Sequence, residues 1–274
     1  MHALVLAAGF GHRFGGDTPK ALLPLGKGCV LDFVINRLAV KEISCIHVVH
    51  NEFYGPGFRR WKKSLSWVPE KQRYEPPYIR LHDNGVAKAE DRRGSLGDLS
   101  WGIREFIEGS KAKNVVIAYG DNLWFSPRPK EFAGDSPAIS VWDKDNFNAP
   151  THIGPGANVN NLGKVHVVDG HIEAIGPGFD SSKFHAGPAY LPANCFHYLH
   201  EYCALCRAAE TLPDDVGAFF DFLCKREKVR AIENKAAFYD IGDEESWKAA
   251  QGFVQMLIQM KARGQKRVFE ESQP

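Results

Sequence analysis

Short, nearly continuous apolar runs alternate along this chain with longer stretches whose apolar residues recur every three or four positions. The runs at residues 3–7, 45–50, 78–82 and 114–119 predict buried strands. Strands covered on both faces need no polar alternation, so continuous apolarity fits them. The intervening stretches 31–40, 57–65 and 96–108 predict helices. Such alternation implies an α/β fold, a mainly parallel sheet with helices on both faces. Ligands of such sheets sit beyond the carboxyl ends of the strands, which points to the loops after residues 7, 82 and 119.

After Asn122 the rhythm shortens. Residues 137–142, 164–168, 171–175 and 184–191 read as strands punctuated by Gly and Pro, with Asp169-Gly170 as a hairpin turn. The stretch 151–163, rich in Asn, Gly and Pro, reads as a loop. Helices are expected at 194–209 and 216–226, then a strand at 236–239. Asp243-Glu244-Glu245 opens a last helix reaching about Lys261, with its acids at the favourable end of the dipole. No repeat and no compositional break divides the chain. The expectation is one domain over 1–274, with a core to about 262, a more antiparallel second half and a polar tail from 263.

Composition narrows the classes. The chain is 44% hydrophobic and 24% charged, and its 34 basic and 33 acidic residues leave a net charge of +1. That balance provides no basic field for nucleic acid or an anionic membrane. No apolar run approaches the ~18 residues of a membrane span, and Met1–Leu6 lacks the basic lead-in and cleavage site of a secretory signal. Six cysteines are too sparse for a disulfide framework. A soluble cytoplasmic protein is expected, with no nucleic-acid or membrane partner; a homo-oligomer stays open.

The candidate chemistry begins after the first strand, at Leu6-Ala7-Ala8-Gly9-Phe10-Gly11-His12-Arg13 and Thr18-Pro19-Lys20-Ala21-Leu22-Leu23-Pro24-Leu25. Glycine and alanine let backbone N–H groups approach a phosphate chain closely. Arg13 adds a fork for phosphate oxygens and Lys20 a compact charge. Two familiar phosphate motifs fail here. Lys20 is not part of a Gly-Lys-Ser/Thr, and Phe14 replaces the third glycine of the dinucleotide fingerprint. His50-Asn51 stands where that fingerprint expects a ribose-binding acid.

The string resembles the signature of the sugar-phosphate nucleotidyltransferases, or NDP-sugar pyrophosphorylases: Leu-Ala-Ala-Gly-x-Gly-x-Arg, then Pro-Lys and Leu-Leu-Pro-Leu. The resemblance runs on over roughly 3–250. Asp83-Asn84-Gly85, Glu90-Asp91-Arg92 and Gly94-Ser95-Leu96-Gly97-Asp98-Leu99 resemble the segment facing the nucleotide base. Tyr119-Gly120-Asp121-Asn122 resembles the pair carrying a metal aspartate. Ala186-Gly187 resembles the sugar-lining strand, and Tyr239-Asp240-Ile241-Gly242 the segment with a second aspartate, although Asp243 replaces its usual Thr.

The resemblance implies a Rossmann-like three-layer αβα fold of glycosyltransferase-A type, with a mainly parallel mixed sheet. It implies Mg²⁺-dependent transfer between a nucleoside triphosphate and a phosphorylated small-molecule acceptor, first of all a sugar 1-phosphate. It implies Arg13, Lys20 and Asp121 as catalytic residues. The nucleotide would lie on Ala7, Ala8, Gly9, Gly11, Arg13, Lys20, Asn84, Gly94, Leu96 and Asp121. Asp121 and Asp240 would hold the metal, and Gly187 and Lys164 the acceptor. One departure stands out: Ile175-Gly176-Pro177 replaces the Glu-Lys-Pro that grips the sugar phosphate. That leaves room for a cytidylyltransferase with an acceptor such as phosphocholine.

Two further signals compete. Asp143-Lys144-Asp145 matches the Asp-x-Asp with which glycosyltransferases hold a metal-bound sugar nucleotide. Cys195, His197, His200, Cys203 and Cys206 crowd one helix, where Cys203-x-x-Cys206 has metal spacing. Phe196, Leu199, Cys203 and Cys206 also form an apolar stripe, so that helix reads as a packed one.

Overall fold

The computed structural model describes residues 1–11, 18–65, 78–110, 114–143, 163–176, 180–234 and 236–263. Strand β1 (His2–Leu6) leads into a small hairpin, β2 (Pro24–Leu25) and β3 (Gly28–Cys29). Next come α1 (Val30–Leu38), β4 (Cys45–His50), α2 (Gly55–Ser64), β5 (Tyr78–Asp83), α3 (Ser95–Gly102) and β6 (Asn114–Tyr119). The second half holds β7 (Asn122–Trp124), α4 (Pro129–Phe132), β8 (Ala138–Asp143), β9 (Val165–Val168), β10 (His171–Ile175) and β11 (Lys183–Pro192). It ends with α5 (Phe196–Ala208), α6 (Val216–Cys224), β12 (Val229–Asn234), β13 (Phe238–Asp240) and α7 (Glu244–Ala262).

Nine strands form one sheet in the order β5-β4-β1-β6-β11-β8-β12-β10-β9. The first four run parallel, whereas β11 is antiparallel to both of its neighbours, β6 and β8. This is the mixed, mainly parallel sheet expected, with its antiparallel share in the second half.

Alternate residues of each strand feed two cores. Leu4, Val115, Ile117 and Ala189 face α3, α5 and α6. Ala3, Val5, Val116 and Ala118 face α1 and α2. A third cluster joins Leu123, Phe125, Tyr239 and Ile241 to Leu257 of α7. Burial on both faces leaves the strand ends as the place for polar chemistry.

Three sequence expectations need correction. First, β12 lies between β8 and β10, although 229–234 gave no apolar run. Its sequence, Val-Arg-Ala-Ile-Glu-Asn, hides a strand because its charges are partnered at the sheet surface. Arg230 donates to the Phe132 carbonyl, and Glu233 pairs with Lys183 at 3.1 Å. Second, the strand expected at 236–239 runs over Phe238–Asp240 and stands outside the nine-stranded sheet. It is β13, which pairs antiparallel with β7 so that Asp240 lies opposite Asn122. Third, α3 does not continue to 108 as an α-helix. Ile103–Ile107 is a π turn, which carries Phe106 onto His82 with ring centroids 3.6 Å apart.

Candidate active site

The loop after β1 and the turn after β6 meet because their strands are neighbours. The Gly120 N–H donates to the Leu6 carbonyl at 2.8 Å. A Cβ on Gly120 would lie 2.8 Å from the Ala7 Cβ, so only glycine permits this approach. The result is a pocket lined by Leu6, Ala7, Gly9, Gly11, Lys20, Ala21, Gly120 and Asp121. Five of the residues singled out from sequence share it: Ala7, Gly9, Gly11, Lys20 and Asp121. Arg13 lies outside the described residues.

Protein donors hold the loop from behind. Buried Asn51, just past β4, donates through Nδ2 to the Ala8 carbonyl at 2.9 Å and accepts from the Tyr54 N–H at 2.8 Å. The Tyr54 hydroxyl donates to the Phe10 carbonyl at 2.8 Å. Carbonyls thus occupied are kept from an incoming phosphate, which they would repel. The sequence reading noticed Asn51 only as a missing acid; its place at a parallel strand's carboxyl end was the available signal.

Asp121 and Asp240 both reach the side chain of Asn122. Lys20 Nζ lies 3.6 Å from Asp121 Oδ2. Asn122 Nδ2 donates to Asp240 Oδ1 at 3.0 Å and approaches Asp121 Oδ1 at 3.4 Å. The Ile241 N–H donates to the Asp121 carbonyl at 3.0 Å, tying the two segments together. Asp240 is not the cap of the last helix. Asp243 fills that place, accepting from the Ser246 N–H at 2.8 Å. Two carboxylates joined through Asn122 offer oxygen ligands of the kind Mg²⁺ prefers, with waters completing its shell.

On the other side of the loop, Asn84 is committed to the protein. Its Nδ2 donates to Asp98 Oδ1 at 2.8 Å, and its Oδ1 accepts from the Val86 N–H at 3.0 Å. Burial pushes the Asp98 carboxyl up to about 6, although Asn84 and the Arg93 charge pull it down. Leu96 is fully buried in the core. A Cβ on Gly94 would lie 2.6 Å from the Pro213 carbonyl, and that same carbonyl accepts the Leu96 N–H at 3.0 Å. The start of α3 is therefore held by the 211–215 segment rather than by neighbouring strands.

The remaining candidates scatter. Gly187 lies against Phe238, and Lys164 bridges to Phe184. Neither lines the loop pocket. Asp143 accepts from the Ser182 hydroxyl at 2.6 Å, and Asp145 lies outside the described residues. On α5 and the turn before it, Cys195 and Cys203 are core residues, while His200 bridges the Ser100 hydroxyl and Glu108, each at 2.8 Å.

Solved structures of nucleotidyltransferases share this Rossmann-like fold. UDP-glucose pyrophosphorylase, in its complex with UDP-glucose, superposes with a TM-score of 0.69 over 93% of this chain and 98% of its own, at 14% identity. CTP:phosphocholine cytidylyltransferase from Streptococcus pneumoniae gives 0.65 over 92% and 98%, at 16% identity. Residues 3–128, just under half of the chain, match the MobA-like NTP transferase domain.

Curated relatives match part of the chain. The molybdenum cofactor guanylyltransferase of Mesorhizobium japonicum is 32% identical over 119 residues, 43% of this chain and 46% of that protein. The bifunctional protein GlmU of Coxiella burnetii (strain Dugway 5J108-111) is 28% identical over 133 residues, 47% of this chain and 24% of that protein. These matches span less than half the length of either relative. Among the described residues, no helix is long and apolar enough to cross a membrane.

Proposed function

We propose that the chain is a nucleotidyltransferase that joins a nucleoside triphosphate to a phosphorylated small molecule, first of all a sugar 1-phosphate. In the step proposed, an acceptor phosphate oxygen attacks the α-phosphorus. The bond from that phosphorus to the β-phosphate oxygen breaks, and pyrophosphate leaves with the electron pair. The observation that carries the reading is the meeting of Ala7, Gly9, Gly11, Lys20 and Asp121 in one pocket, with Asp240 joined to it through Asn122.

Such chemistry needs no covalent nucleophile. Positioning and charge neutralisation supply most of the catalysis. Backbone N–H groups of the loop, with Arg13 and Lys20, would bind the triphosphate, while Ala8 is held in place by Asn51. Asn84, Gly94 and Leu96 would shape the base side. Asp121 and Asp240 would hold Mg²⁺, which supplies positive charge for the phosphate oxygens. Gly187 and Lys164 would belong to the acceptor side. Because the sheet draws on both halves of the chain, 1–262 is read as a single catalytic unit.

A second reading, a cytidylyltransferase with a phosphorylated alcohol such as phosphocholine, is favoured by one observation. Ile175-Gly176 offers no charge where a sugar 1-phosphate would be gripped, and Ile175 is buried against the core. The test is a pyrophosphate-release screen of CTP, UTP, GTP and dTTP against phosphorylated sugars and alcohols with Mg²⁺. The expected result is pyrophosphate from at least one pair. A nucleoside diphosphate released from a sugar nucleotide, with no pyrophosphate from any pair, would instead point to a glycosyltransferase working through Asp143 and Asp145.

A further inference from the structure

Among the buried polar atoms that have no hydrogen-bond partner among the described residues, two lie toward the ligand end on the sheet face covered by α3, α5 and α6. They are the hydroxyl of Tyr119, the last residue of β6, and Nε2 of His185, near the start of β11. Tyr119 pairs in register with Leu6 and stands two positions before Asp121, and both of those residues line the loop pocket. His185 belongs to the strand next to β6, and its ring lies 6.0 Å from Phe220 of α6. Tyr119 packs against that same core cluster, so the two groups share the face covered by α3, α5 and α6. Asp215, which caps α6, acts electrostatically on both, and Asp121 acts on Tyr119.

An unpartnered buried polar group is unfavourable, and native proteins keep few of them. Both groups can donate and accept. The tyrosine hydroxyl does so by nature, and burial holds the His185 imidazole down to about 4, leaving it neutral with one N–H and one bare nitrogen. A ligand hydroxyl complements either group. A trimethylammonium head has neither a donor nor an acceptor and would leave both unsatisfied.

We infer that Tyr119 and His185 are specificity-determining residues whose side chains bind hydroxyl groups of the acceptor, making it a polyhydroxylated phosphate. This rests on the transferase reading above.

The experiment measures pyrophosphate release with the same triphosphates and four probes: glucose 1-phosphate, mannose 1-phosphate, myo-inositol 1-phosphate and phosphocholine. It compares the native chain with Tyr119→Phe, His185→Leu and His185→Gln, and adds a thermal melt of each. Turnover is expected with a hydroxylated probe. Tyr119→Phe and His185→Leu should raise its KM ~10-fold with kcat and the nucleotide KM unchanged, and His185→Gln should recover part of the loss. Melting temperatures should stay level or rise, because no internal hydrogen bond is removed. Turnover with phosphocholine alone, an unmoved acceptor KM, or a melt lowered by several degrees would overturn the inference while leaving the transferase reading intact. Pyrophosphate from no pair would overturn that reading and this inference together.

Discussion

Two sets of polar groups lie beneath the same helical layer and are treated in opposite ways. Near the sheet's β5 edge, His2, His47 and His82 form a ladder. His47 Nε2 meets His2 Nδ1 at 3.0 Å, and His47 Nδ1 meets His82 Nε2 at 2.9 Å. Phe106, delivered by the π turn, stacks on both His82 and His47. At the ligand end, Tyr119 and His185 are as deeply buried and yet unpartnered, and Asp121 and Asp240 share a single amide. Burial alone therefore does not separate fold from function. The two sets differ in closure: the ladder's rings bond to one another, while the Tyr119 hydroxyl and His185 Nε2 have no hydrogen-bond partner among the described residues. Both regions have histidines pushed well below the ordinary range by burial, so a perturbed pKa would not have told them apart.

The largest expected effect probes the open side. Asp121→Asn and Asp240→Asn should each cut turnover ~10²–10³-fold and raise the Mg²⁺ requirement, with melting temperatures unmoved. The double variant should fall far short of the product of the two losses, since both carboxylates would serve one ion. Steady-state kinetics over a Mg²⁺ titration, with a melt of each variant, check this. Multiplicative losses, or a lowered melt with intact turnover, would place the carboxylates on the closed side of the comparison.

The next effect falls on the ladder and on stability alone. Each N···N contact needs one N–H and one bare nitrogen, so two adjacent rings of the ladder cannot both be protonated. Burial, then the neighbouring histidines and Arg80, hold His47 down to about 3; burial and then Arg80 hold His82 down to about 4. The unfolded chain, with histidines near 6.5, takes up protons first as pH falls. Stability contributed by the ladder should thus be complete above about pH 6.5 and decline steadily toward pH 4. His47→Ala, which strands both neighbours, should cost ~2–4 kcal/mol at pH 7.5 and flatten that decline. Denaturant melts across pH 4–8 test both statements. Turnover well below the melting range should not change.

The same contrast explains what the sequence could disclose. Strands at 45–50 and 114–119 coincide with the observed ones because strands in the parallel part of the sheet, buried on both faces, need nearly unbroken apolarity, which the sequence records directly. The glycine loop, Lys20 and Asp121 were legible because close backbone approach and phosphate charge restrict residue choice. β12 was not, since Arg230 and Glu233 are satisfied by partners distant in sequence. The ladder was equally hidden: His2, His47 and His82 are ordinary positions until three adjacent strands bring them into line. Nothing near Tyr54 announces that its side chain clamps the loop, and for Asn51 the one signal is its place at a parallel strand's carboxyl end. Such roles depend on tertiary proximity, which local patterning does not encode.

Asp98 lies between the two regions and yields the smallest expected change. It is buried in the first turn of α3 and accepts from Asn84, which by hydrogen bonding resembles the ladder. Yet its carboxyl is raised to about 6, so at neutral pH the fold holds an ionised group that burial disfavours. A folded pKa above the unfolded 3.8 means that the native state binds protons more tightly, and native stability must fall as pH rises from about 4 to 6. Asp98→Asn removes the charge while its amide oxygen can still accept from Asn84. The variant should gain up to ~1 kcal/mol over the native protein at pH 7.5, and that advantage should vanish at pH 4. If Asp98 belongs to the closed set, as its bond to Asn84 indicates, the KM for the triphosphate stays the same. A raised nucleotide KM without any pH-dependent gain in stability would move Asp98, and Asn84 with it, to the open side.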